Sequence, residues 1–135
     1  MQEGHILTVL QVTPELNAGG VERTTLEMAE AISRAGGLAL VASAGGRLEP
    51  DLKTAGGELI KLPLHTKNPI TAIANAFKLA EIVRTRRVDI IHARSRVPAW
   101  IAYLAWRRMN PATRPRFVTT VHGMYGVNRY SRIMT

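Results

Sequence analysis

With 135 residues, 46% of them hydrophobic and 21% charged, the chain is sized for one domain with its own core, and its composition is neither disordered nor fibrous. It has no cysteine, which excludes disulfides, thiolate metal sites and a cysteine nucleophile and fits a reducing compartment. Its formal net charge of +8 argues for an anionic partner such as a phosphorylated substrate, a nucleic acid or an acidic lipid surface, unless an acidic segment of a longer protein balances it.

Residues 5–12, HILTVLQV, form a nearly continuous apolar run of β-formers, which predicts a strand covered on both faces. From Val21 onward, Val21, Thr25, Met28, Ala29, Ile32 and Ala35 recur at spacings of three and four, so a helix is expected, stopped by Gly36 and Gly37. Residues 38–44 read as a second strand, 47–56 as a short helix and 58–64 as a third strand. Asn68 and Pro69 then supply the cap and first turn of a longer helix. Its expected buried stripe is Ile70, Ile73, Phe77, Ala80 and Val83, with a basic outer face. A fourth strand (88–93), a fourth helix (97–109) and a fifth strand (116–122) follow, and the closing NRYSRIMT reads as the start of another helix. No apolar run approaches the ~20 residues of a membrane span, and the first five residues do not have a signal-peptide pattern, so a soluble protein is expected.

Strands alternating with helices imply an α/β fold: an open parallel sheet with helices on both faces, one Rossmann-like domain over residues 1–135. The expected strand order is 3-2-1-4-5. Ligands of such sheets lie beyond the carboxyl ends of the strands where the order reverses, which nominates residues 13–21, 92–97 and 122–127.

The first of these, PELNAGGVER, places Gly19 and Gly20 where a helix begins. Glycines there let the backbone approach a ligand and leave the first helical N–H groups pointing outward, a phosphate-binding arrangement, although a tight turn alone also uses them. Neither a dinucleotide fingerprint nor a Walker loop is present. In the second, HARSR, Arg94 and Arg96 are candidate anion binders, of which one is expected to face the pocket, while His92 reads equally as structural. The third, TTVHGMYG, carries His122, Gly123 and Tyr125; a histidine there can donate or accept a proton near neutrality. The four histidines are scattered and the carboxylates do not cluster, so no metal site is expected. Neither Ser43 nor Ser95 sits in a nucleophile elbow. Trp100, Tyr103, Leu104 and Trp106 read as core and interface rather than base-stacking groups.

Together, NAGGVERTTLEMAEAISRAG, DIIHARSRVPAW and TTVHGMYGVNRYSRIM resemble the amino-terminal domain of glycosyltransferase family 4, retaining enzymes of the GT-B fold. The latter two are similar to bacterial members that act on lipopolysaccharide or related envelope glycans. The resemblance runs from about Ile6 to Thr135. It implies a hexosyltransferase that moves a sugar from a nucleotide-sugar to a glycan or lipid-linked acceptor, without a cofactor or bound metal. In residue terms, it implies that Gly19 and Gly20 face the donor diphosphate and that His122 is the catalytic contact to the transferred sugar or acceptor. Asn17, Arg94, Arg96, Gly123 and Tyr125 would line the acceptor side. It further implies a cytoplasmic enzyme, peripheral on the inner face of the membrane, with no nucleic-acid partner.

The family's second, donor-binding domain has no counterpart in these residues, so this part is expected to be inactive alone. Two other functions fit the same features: a stand-alone anion-binding module, and half of a GT-B nucleotide-sugar epimerase.

Overall fold

A computed structural model describes residues 6–17, 20–66, 68–120 and 132–134. Ten elements follow in order: β1 (Thr8–Val12), α1 (Gly20–Arg34), β2 (Leu38–Ser43), α2 (Glu49–Thr54), β3 (Gly57–Lys61), α3 (Pro69–Arg86), β4 (Ile90–Arg94), α4 (Arg96–Arg107), β5 (Arg116–Thr120) and β6 (Arg132–Met134). They build one sheet in the order β3-β2-β1-β4-β5-β6. The first five strands are parallel, in the order the sequence predicts, with Leu10 level with both Leu40 and Ile91.

Alternation along the central strands divides the core into two layers. Leu10, Val12, Leu40, Ala42, Ile91 and Ala93 face α3 and α4, where they pack on Leu79, Val83, Ile101, Ala105 and Trp106. Val9, Ala39 and Val41 face the other way, onto Ala29 and Ile32 of α1 and Leu52 of α2. Every residue of β1 is buried, which accounts for the unbroken apolar run that marks it in the sequence.

Helix α3 begins as its sequence foretells: Asn68 Oδ1 accepts from the N–H groups of Ile70 at 2.8 Å and Thr71 at 3.3 Å. Its expected buried stripe holds at Val83 and, partly buried, at Ala80, and is otherwise corrected. Asn75, Leu79 and Val83 face inward, whereas Ile70, Ile73 and Phe77 are 79%, 59% and 65% exposed. Apolar residues occupy most of this helix's circumference, so spacing alone does not select a face. The inward rotation brings the small Ala72 and Ala76 against the core and lets Asn75 Nδ2 donate to the Pro63 carbonyl at 3.2 Å.

A second correction concerns the end of the chain, where β6 stands in place of the expected helix. Val118 lies opposite Ile133 in an antiparallel pair on the outer edge of β5. That edge would otherwise present unpaired backbone groups, and a returning strand satisfies them. Among the described residues, no helix is long and apolar enough to cross a membrane.

Candidate functional site

Because α1 packs on one face of the sheet and α4 on the other, the chain leaves β1 and β4 in opposite directions. A crevice therefore opens beyond Val12 and Ala93, which are level in the sheet.

Residues 13–17 form one wall of this crevice and are tied to the loop after β2. Thr13 N–H donates to Ala42 O at 3.1 Å, Ala44 N–H to Pro14 O at 2.9 Å, Leu16 N–H to Gly45 O at 3.1 Å and Leu48 N–H to Leu16 O at 2.8 Å. Asn17, expected on the acceptor side, also joins this seam: its Oδ1 accepts from Arg47 N–H at 3.1 Å. Gly45 closes the opposite strap in a left-handed conformation (φ +92°), and Gly46 N–H donates to Glu49 Oε2 at 2.8 Å.

Gly20 opens α1. Its φ is not left-handed, and a Cβ built on it would meet nothing within 4 Å. Neither backbone conformation nor packing within the described residues therefore requires glycine there. The space beside this first turn is open, and its N–H groups lie at the positive end of a 15-residue helix. Gly19 lies outside the described residues.

Arg94 ends β4 and is 1% exposed. Its Nε and Nη2 donate to Gln11 Oε1 at 3.2 and 3.0 Å, and Gln11 Nε2 donates to the Thr25 carbonyl of α1 at 3.1 Å. No carboxylate among the described residues pairs with it, and burial pushes the guanidinium below its ordinary pKa. Arg94, expected on the acceptor side, is thus placed beneath the crevice as a tie between β4, β1 and α1. The next residue, Ser95, turns the chain at φ 74°, ψ 157°, a region almost reserved for glycine. That turn delivers Arg96 to the exposed first position of α4. Chain reversal, rather than strand alternation, separates the two arginines.

Two hydroxyls at the carboxyl edge, Thr13 Oγ1 and Thr119 Oγ1, are buried with no hydrogen-bond partner. Thr119 is level with Ala93. Buried polar groups ordinarily find partners, so both are candidates for ligand contacts. Thr13 falls within the nominated stretch 13–21 and Thr119 opens the motif TTVHGMYG, but the sequence assigns neither a role, and it does not nominate Gln11 at all. A glutamine inside the apolar run TVLQV was the available signal, since a buried polar group demands a partner. β5 carries the chain to Thr120, level with Arg94. His122, Gly123 and Tyr125 follow it and lie outside the described residues. Among the described residues, no group of His, Asp or Glu is placed to hold a metal ion.

The sequence profile of Glycosyltransferase Family 4 matches residues 18–135. Among solved structures, a glycosyltransferase from Rickettsia africae ESF-5 is 40% identical with a TM-score of 0.76, covering 90% of this chain and 31% of its own. MurG from Acinetobacter baumannii superposes with a TM-score of 0.67 at 13% identity, over 93% of this chain and 40% of that one, a likeness of fold. No curated protein sequence matches. The chain thus spans about a third of the length of the Rickettsia protein it is similar to.

Proposed function

The chain belongs to Glycosyltransferase Family 4, and from that premise we propose that it is the amino-terminal, acceptor-side domain of a retaining glycosyltransferase. The enzyme would transfer a sugar from a nucleotide-sugar to an envelope glycan or lipid-linked acceptor. The 40% identity to a protein described as a glycosyltransferase supports the reaction class. The observation that carries the site is Gly20: a glycine that packing among the described residues does not need, at the start of a helix, at the mouth of the crevice.

As the bond between the sugar and the donor diphosphate breaks, negative charge gathers on the departing phosphate. N–H groups at Gly19 and Gly20 stabilise that charge as it develops, together with the dipole of α1, and a side chain at either position would push the phosphate away. Arg96, exposed at the start of α4, reaches an anionic acceptor, while Arg94 acts from below by fixing Gln11 and β1. His122, Gly123 and Tyr125 complete the acceptor side, with His122 against the transferred sugar. Asn17 holds the rim. A second α/β domain supplies most of the nucleotide-sugar contacts, so this domain alone binds without turning over.

Calorimetric titration with nucleotide-sugars and phosphorylated sugar acceptors, repeated on Gly20→Val, tests the proposal. Phosphorylated acceptors are expected to bind more tightly than nucleotide-sugars, and Gly20→Val is expected to weaken phosphate-bearing ligands about tenfold or more without unfolding the chain, since one charge-assisted contact is worth about 1.5–3 kcal/mol. Undiminished binding by the variant would remove the phosphate role of this helix. Tight nucleotide binding by this domain alone would instead make it an ordinary nucleotide-binding protein.

A further inference from the structure

Gln11 is fully buried in β1, and its amide works in two directions. Oε1 accepts from Nε and Nη2 of Arg94, while Nε2 donates to the Thr25 carbonyl of α1 at 3.1 Å. Arg94 and Thr25 are buried as well, so solvent does not compete for these bonds. A carboxylate at this position would meet the cation with a stronger, charge-assisted bond. It could only accept, however, and would face the Thr25 carbonyl with a second acceptor, whereas an amide carries an acceptor and a donor on one group. What the glutamine adds is therefore the bond to α1.

The two ends of that helix are held differently. Ala29 and Ile32, in its second half, belong to the apolar layer with Val41 and Leu52. Among the described side chains of residues 20–26, Thr25 alone is fully buried. At 3.6 residues per turn its carbonyl lies fewer than two turns from Gly20, so the end of α1 that faces the crevice is anchored in large part by a polar contact. On the other side of Gln11, Arg94 immediately precedes Ser95 and Arg96, where the chain turns from β4 into α4. Gln11 thus spans the crevice floor between the two joints that face a ligand.

We propose that Gln11 is a positioning residue of the crevice: its amide sets the amino-terminal turns of α1 against the end of β4, and so fixes the separation between the N–H groups at Gly20 and the Arg96 side of the crevice. Gln11 touches no ligand itself and acts through α1. Such control matters to a group transfer, because a misplacement of about 1 Å between reacting partners can cost about a hundredfold in rate. The proposal rests on the reading of Gly20 as the phosphate-facing end of α1, and it names the residue that holds this end in register with the acceptor side.

Two variants of the 135-residue chain break the bridge at opposite ends. Gln11→Glu keeps an acceptor for Arg94 and loses the donor to Thr25; Arg94→Met loses the cation and leaves Gln11 Nε2 to hold Thr25. Amide hydrogen exchange, thermal unfolding and calorimetric titration with inorganic pyrophosphate read the effects. In Gln11→Glu, exchange at residues 24–28 is expected to quicken about tenfold or more while residues 30–34 keep their rates, and pyrophosphate is expected to bind about tenfold more weakly. In Arg94→Met, exchange at residues 24–28 is expected to change no more than at 30–34, although Gln11→Glu melts no lower than Arg94→Met. Should Gln11→Glu not fold, the double variant Gln11→Met with Arg94→Met, set against Arg94→Met alone, isolates the same bond to Thr25. Exchange and binding that simply follow the melting order make Gln11 a structural residue and overturn the proposal. Weaker pyrophosphate binding by Gln11→Glu with unchanged exchange at residues 24–28 assigns the loss to the added charge and overturns it too. If the unaltered chain binds no pyrophosphate, the phosphate reading of Gly20 fails, and the exchange comparison alone decides the role of Gln11. Gly20→Val reads the phosphate site without touching Gln11, so either can fail alone.

Discussion

Arg94 gives two hydrogen bonds to a single neutral oxygen, Gln11 Oε1, at 3.2 and 3.0 Å, and the two residues are 83 positions apart in the chain. A buried cation whose acceptor is an amide rather than a carboxylate depends heavily on that amide. Gln11→Leu is expected to cost about 2–4 kcal/mol because it strands the guanidinium, while Arg94→Met, which strands only an amide oxygen, costs about 1–2 kcal/mol. The double variant should cost less than the sum. Urea denaturation of the three proteins checks the order; a double variant costing the full sum of the singles would mean that the pair is not coupled.

Gly20 makes the opposite prediction, of a change the fold tolerates. With open space around its Cβ position, Gly20→Ala is expected to be neutral or to stabilise by up to about 1 kcal/mol through helix propensity, while phosphate-bearing ligands bind less well. Thermal unfolding beside titration reads both; a loss of stability would show that the glycine serves packing after all.

Ser95, at φ 74° and ψ 157°, holds a conformation that glycine adopts freely. Ser95→Gly is expected to raise stability by about 1 kcal/mol, seen as a rise of a few degrees in Tm. If the strained turn sets the direction of Arg96, the same change weakens binding of an anionic acceptor. A variant that is more stable and binds equally well would separate the strain from the site.

Stability also carries a pH signature from the far edge of the sheet. Arg86 meets Glu58 through two bonds of 2.8 Å, and hydrogen bonding to Arg86, with a lesser contribution from its charge, holds the carboxyl below its ordinary value against the opposing effect of burial. Since the folded pKa is the lower one, the contribution is present above the ordinary glutamate value of about 4.3 and fades as pH falls through the folded value. The pair is half exposed, so Glu58→Gln is expected to cost no more than about 1 kcal/mol at neutral pH. Denaturation at pH 7 and pH 3 should show the difference between the proteins shrinking at the acid end.

The sheet order was legible because β1 and β2 are buried on both faces and therefore read as unbroken apolar runs, and because glycines and the Asn68 cap mark the joints between elements. The inward face of α3 was not, since Ile70, Ile73 and Phe77 match helical spacing as well as Leu79 and Val83 do; only the neighbouring sheet and α4 choose between them. Nor was the pairing of Gln11 with Arg94, which exists only once β1 and β4 lie side by side. Ser95 carries no local mark of its backbone, because a serine between a strand and a helix ordinarily reads as a plain cap. The expectation of a final helix failed for a different reason: Arg132–Met134 finds its partner in the open edge of β5, which local periodicity does not record.

The crevice wall at residues 13–17 is fastened chiefly through its own N–H and carbonyl groups, and Leu16 alone of its side chains plugs the core completely beside the buried Thr13. Glu15, exposed on that wall, contributes nothing to the fastening that its replacement would remove. Position and surface chemistry are therefore separable here. A descendant of this protein can exchange the outward side chain at this wall while inheriting the same wall in the same place.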